Sequence, residues 1–138
     1  MYLFGASGHG KVIKEIIEAN GGQVEAFVDD NKEVNECAGL PVLHDAMGLS
    51  PMIVSIGINR IRKVIVERLS SLSLQPSTLS FPTAIHPSAV VSSSAMIGEG
   101  TVVMAGAVIN ALYREHGCDS GSRLCDRGLL PHRPRCAH

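Results

Sequence analysis

Seven consecutive residues near the start of the chain, Gly5-Ala6-Ser7-Gly8-His9-Gly10-Lys11, have the types and spacing to hold an anion. Glycine lets backbone approach a ligand closely, and the N–H groups at the mouth of a following helix carry a positive field. A phosphate or diphosphate is the natural guest. A tight turn that needs glycine for steric reasons alone would give the same run, but three glycines at a strand-to-helix junction favour binding. His9 could hydrogen-bond a ligand or cap the helix region; Lys11 could face a phosphate or water. Two nucleotide motifs come close and fail. The dinucleotide fingerprint is G-x-G-x-x-G, and Gly5, Gly8 and Gly10 are spaced G-x-x-G-x-G instead. The P-loop continues G-K-[ST], but Val12 follows Lys11 and has no hydroxyl to hold Mg²⁺.

Asp29 and Asp30 stand about 20 residues beyond the glycine turn, at the end of an apolar run. In open α/β sheets the carboxyl ends of the strands form the ligand crevice. A carboxylate there accepts hydrogen bonds from ribose hydroxyls or base N–H groups. Asp-Asp-Asn also makes a polar turn unaided. Gly57 ends a later apolar run; it is either a gap for a ligand or a turn glycine.

These residues need a scaffold. Residues 1–4 read as a strand and residues 5–10 as a glycine-rich turn. Residues 11–20 read as a helix with Val12, Ile13, Ile16 and Ile17 on one apolar stripe and Lys14, Glu15 and Glu18 outside. Gly21-Gly22 ends that helix, and residues 24–28 form a second strand. Strand, glycine turn, helix and strand make the first βαβ unit of a parallel sheet. Residues 40–43 suit a short edge piece and residues 52–56 a third buried strand. Residues 60–72 suit a second helix with Ile61, Val64, Ile65 and Leu69 inward, and residues 78–81 a last strand. Pro82 and Pro87 bracket a domain boundary near residue 82.

A different period begins there. Ile85, Val91, Ile97, Val103 and Ile109 recur every sixth position, and Ala89, Ala95, Thr101 and Ala107 follow four residues after the first four. Hexapeptides of this kind predict a left-handed parallel β-helix, with the aliphatic side chains inside and the small residues near the corners. The next inward positions hold Glu115, Gly121, Arg127 and Arg133, so the period stops. Residues 85–111 supply about one and a half coils, whereas repeat folds need about three stacked units. This stretch must therefore dock on the N-terminal domain, self-associate or stay loosely ordered.

Composition excludes other classes. The 138 residues carry a net charge of −1, three Phe, two Tyr and no Trp, which gives no case for nucleic acid or an anionic membrane. No apolar stretch reaches transmembrane length and no signal peptide is visible, so a cytoplasmic location is the expectation. Four irregularly spaced Cys imply neither disulfides nor a metal site.

YLFGASGHGKVIKEII, FVDD, SIGIN followed by IRK, and IHPSAV leading into hexapeptides together resemble the bacterial sugar acyltransferases of the sialic acid O-acetyltransferase type. Within that group the chain is similar to the UDP-4-amino-sugar N-acetyltransferases. The resemblance covers residues 1–111. It implies a Rossmann-like domain (1–82) holding a UDP-sugar through Ser7, Gly8, His9, Asp29, Asp30 and Gly57. It also implies a left-handed β-helix (83–111) that binds the co-substrate acetyl-CoA, no metal, and a homotrimer. The family's general base is a His in a V-[DE]-H-[DE] stretch of a later coil. His116, His132 and His138 lack that context. The expected function is acetyl transfer to a nucleotide-linked amino sugar, with the catalytic region missing from this chain. The alternatives are a non-catalytic nucleotide-binding module and, less favoured, a fragment of an NAD-dependent oxidoreductase, in which the hexapeptides have no place.

Residues 112–138 change vocabulary. They hold five Arg, three Cys, and no Lys, Val or Ile. Cys118, Cys125 and Cys136 match no structural-zinc spacing. A divergent extension is one reading; a shifted reading frame fits the composition better. No β-helix coil is expected there.

Overall fold

The computed structural model describes residues 1–72 and 79–111. Its centre is a five-stranded sheet of β1 (Tyr2–Phe4), β2 (Ala26–Val28), β3 (Glu36–Cys37), β4 (Leu40–Leu43) and β5 (Met52–Val54), in the order β3-β4-β2-β1-β5. Only the β3–β4 pair is antiparallel. Central parallel strands are covered on both faces and so lack polar alternation. Successive residues still point to opposite sides. Leu3, Phe27 and Ile53 meet α1 (Gly8–Ala19) through Ile13, Ile16 and Ile17. Phe4, Val28, Met52 and Val54 meet α2 (Asn59–Leu72) through Ile65 and Leu69.

Several expectations shift. The first helix begins at Gly8, inside the glycine run, because Ser7 already has extended N-cap geometry and Lys11 N–H donates to the Ser7 carbonyl at 3.1 Å. Residues 40–43 form a strand, yet an inner one, since β3 adds outside it through a turn at Ala38 and Gly39 with φ of 50° and 77°. Ile61 and Val64 were expected inward but are 41% and 57% exposed. α2 lies over the edge strand β5 and meets the sheet only along the narrow stripe of Ile65, Val66 and Leu69. Val12 likewise falls on the flank of α1, 43% exposed. Residues 79–81 are not a strand; beside β5 they contribute the Ser80 carbonyl, which accepts Met52 N–H at 2.9 Å.

Beyond residue 82, β6 (Ala84–Ile85) pairs in parallel with β8 (Val102–Val103), and β7 (Val90–Val91) with β9 (Val108–Ile109). In both ladders the partner lies eighteen residues on. Turn bonds link Ala89 N–H to His86 O, Ala95 to Ser92, Thr101 to Gly98 and Ala107 to Met104, one every six residues. Residues 96–97 would pair eighteen positions later, outside the described residues. The expectation for residues 112–138, that they form no coil, also lies outside them. Of the aliphatics expected to face inward, Val103 is buried, while Ile85, Val91, Ile97 and Ile109 are half-buried.

This segment docks on the α1 side of the sheet. Ala84 is buried in the α1 core, Val102 and Met104 pack against it, and Asn20 Nδ2 donates to both Ile16 O (2.8 Å) and Ile85 O (2.7 Å).

Candidate functional site

The chain runs from β1 through α1 to β2 on one side, while β5 lies on the other side of β1. The connections therefore diverge at the carboxyl ends of β1 and β5, the place where open α/β sheets bind ligands. The glycine turn and Gly57 meet there.

The turn is fixed by close packing. Gly5 has φ +116°, and a Cβ on it would lie 3.0 Å from Ser55 O. Gly10 passes so close beneath the turn that a Cβ would meet Gly5 O at 2.4 Å and Phe27 Cε1 at 2.9 Å. Ser55, fully buried, donates its hydroxyl to Phe4 O and Gly5 O at 2.8 and 2.9 Å. For Gly5 and Gly10 the steric reading therefore suffices. Gly8 is different: it is exposed, its φ is ordinary, and nothing stands within 4 Å of where its Cβ would be. The N–H groups of Gly8, His9 and Gly10 precede the first intrahelical bond. Ser7 makes no side-chain capping bond. The half-buried ring of His9 sits beside Gly57, with Cγ 3.8 Å from a Cβ built there. The structure brings Ser7, Gly8, His9 and Gly57 to one edge.

The two aspartates separate. Asp29 Oδ2 accepts Ala6 N–H and Oδ1 accepts Asn31 N–H, both at 2.9 Å, so its carboxylate latches the glycine turn to the end of β2. Its backbone carbonyl lies 2.9 Å from His44 Nδ1. Asp30 turns towards α2, where Arg68 grips it with both nitrogens at 2.9 and 3.0 Å and lies over the Phe4 ring at 5.3 Å.

A cleft of about 390 Å³ opens from this edge. His9, Ile13, Val54 and Arg62 form one wall; residues 99–102 and Met104 of the docked segment form the other. The half-buried Arg62 guanidinium is braced by Ile56 O at 3.1 Å and by Asn59 Oδ1, and it makes no ion pair among the described residues. Sequence reasoning missed Arg62, because an arginine in a cation-rich helix turn reads as solvated. It also missed the second wall, for which the six-residue period gave no positional signal.

The shifted titrations lie at the opposite edge. Glu25 is held below its ordinary range, first by the Tyr2 hydroxyl at 2.8 Å and then by the Met1 ammonium at 3.0 Å. The same hydrogen bond raises the Tyr2 phenol. Among the described residues no group of three or more His, Cys, Asp or Glu could hold a metal ion, and no helix is long and apolar enough to cross a membrane.

Residues 1–69 match the PglD N-terminal domain family. UDP-N-acetylbacillosamine N-acetyltransferase of Bacillus subtilis is 40% identical over 113 residues, 75% of this chain and 50% of that protein. A mutant of perosamine N-acetyltransferase from Caulobacter crescentus, solved with CoA and GDP-perosamine, superposes with a TM-score of 0.70 at 40% identity, covering 80% of this chain and 53% of that one. The acetyltransferase domain of PglB from Neisseria gonorrhoeae, solved with acetyl coenzyme A, gives 0.67 at 40% identity, with coverage of 80% and 55%. The chain spans about half the length of these relatives.

Proposed function

We propose, from the premise that the chain belongs to the PglD N-terminal domain family, that residues 1–82 bind a nucleotide-linked amino sugar for acetyl-CoA-dependent N-acetylation. The relatives' names include both a UDP- and a GDP-linked sugar; for this chain the UDP form is proposed. The observation that carries the proposal is Gly8, a glycine that neither backbone strain nor packing demands, at a helix mouth whose first N–H groups precede the helix's own hydrogen bonds. A diphosphate against that backbone explains its missing side chain. Asp29 has its oxygens engaged by the Ala6 and Asn31 N–H groups; Asp30, paired with Arg68 yet still exposed, is the candidate acceptor for base or ribose donors, and Ser7, His9 and Gly57 complete the edge.

Residues 83–111 are read as the first coils of a left-handed β-helix. The eighteen-residue ladder offset and the six-residue turn spacing support this, since three hexapeptides make one coil. In the whole enzyme, which we take to be a cytoplasmic homotrimer, later coils would bind acetyl-CoA. There the sugar amine attacks the thioester carbonyl, a base takes its proton, and the coenzyme leaves as thiolate. The family's base is a His in a V-[DE]-H-[DE] stretch, a context that His116, His132 and His138 lack. The proposal is therefore that these 138 residues by themselves bind nucleotide sugar without turnover.

Calorimetry of the 138-residue chain with UDP-sugars, GDP-sugars, NAD and ATP tests the binding reading. A nucleotide sugar should bind and NAD should not. Preference for NAD would overturn the reading, and robust acetyl transfer by this chain would overturn its non-catalytic part.

A further inference from the structure

Resting on the nucleotide-sugar reading, we propose that the cleft between α2 and the docked segment receives the sugar diphosphate, with Arg62 pairing with the diphosphate and Glu99, on the opposite wall, reading a protonated amine on the sugar.

The cleft is open and carries a charged side chain on each wall. Arg62 is half-buried, so its charge is only partly hydrated, and no carboxylate among the described residues lies within ion-pair distance of it. Its two braces, Ile56 O and Asn59 Oδ1, fix the guanidinium plane while leaving N–H groups to spare, since arginine carries five. A planar fork of this kind suits phosphate oxygens. His9 lines the same cleft, which connects it to the helix mouth holding Gly8. Glu99 lines the other wall, is exposed, and is not paired with Arg62 although both face one space of about 390 Å³. A guest that is anionic at one end and cationic at the other satisfies both walls; a sugar diphosphate without an amine satisfies only the first.

The test is titration calorimetry on the 138-residue chain with three ligands: a nucleoside diphosphate, its neutral hexose conjugate, and the conjugate of a hexose bearing a free amine. Arg62→Met should weaken all three about tenfold or more, the usual scale for a hydrogen bond to a charged group. Arg62→Lys should fall between, keeping the charge and losing the fork; it serves as the reading if Arg62→Met does not fold. Glu99→Gln should weaken only the amine-bearing ligand, about twofold to fivefold. Unchanged affinity in both Arg62 variants, or a Glu99→Gln loss equal for amine and neutral sugars, overturns this proposal while leaving nucleotide binding standing. Failure of the unmutated chain to bind any nucleoside diphosphate overturns the underlying reading as well.

Discussion

Replacing Gly8 and Gly10 by alanine should separate folding from binding at two positions only two residues apart. At Gly10 the new methyl would stand 2.4 Å from Gly5 O and 2.9 Å from Phe27 Cε1. Backbone oxygen and a buried ring cannot easily give way, so the cost is that of an overpacked core, about 1–3 kcal/mol. For a domain of this size that is a fall in Tm of roughly 5–15 °C. At Gly8 the methyl meets nothing within 4 Å, and φ is ordinary. Alanine there restricts the unfolded chain and should raise stability by a few tenths to about 1 kcal/mol. The same methyl stands where a diphosphate would touch backbone, so affinity should fall at least about tenfold, or roughly 1.4 kcal/mol. Thermal melts and calorimetry on the two variants read both quantities. A Gly8→Ala protein that binds nucleotide sugar as tightly as the unmutated chain would refute the argument that this glycine exists for a ligand.

Two further outcomes follow from the hydrogen bonds. Asp29→Asn leaves one of the Ala6 and Asn31 N–H groups facing an amide nitrogen and should cost about 1–2 kcal/mol in denaturant unfolding. Asp30→Asn, at an exposed pair, should cost under about 1 kcal/mol, and equal losses would show that the two carboxylates are not divided as described. Because the Glu25 carboxyl is depressed when folded, its stabilisation is present above its unfolded pKa and is lost as pH falls through the folded value. The raised Tyr2 phenol has the opposite sense: its contribution is whole below the ordinary tyrosine value and is lost as pH rises through the folded one. Glu25→Gln should therefore flatten the acid limb of Tm against pH, and an unaltered limb would remove Glu25 from the account.

The βαβ start and the six-residue period were readable because each is a local pattern. A glycine run between apolar segments and an aliphatic at every sixth position declare themselves without tertiary knowledge. Ile61 and Val64 misled for the converse reason: helical spacing says which residues share a face, while the width of that face depends on the strand beneath. β3 was invisible because two residues carry no period, and it exists through the turn at Ala38 and Gly39. In the site, sequence position could group Asp29 and Asp30 but could not say that one would face the glycine turn and the other α2. Arg62 and Glu99 meet across a cleft only after the two halves dock, a relation that no window along the chain contains.

The amide of Asn20 grips the last turn of its own helix and a carbonyl 65 positions away. Together with the burial of Ala84 and the packing of Val102 and Met104 against the α1 core, that clasp fixes how the segment lies on the sheet, so the far wall of the cleft is held in place by α1 itself.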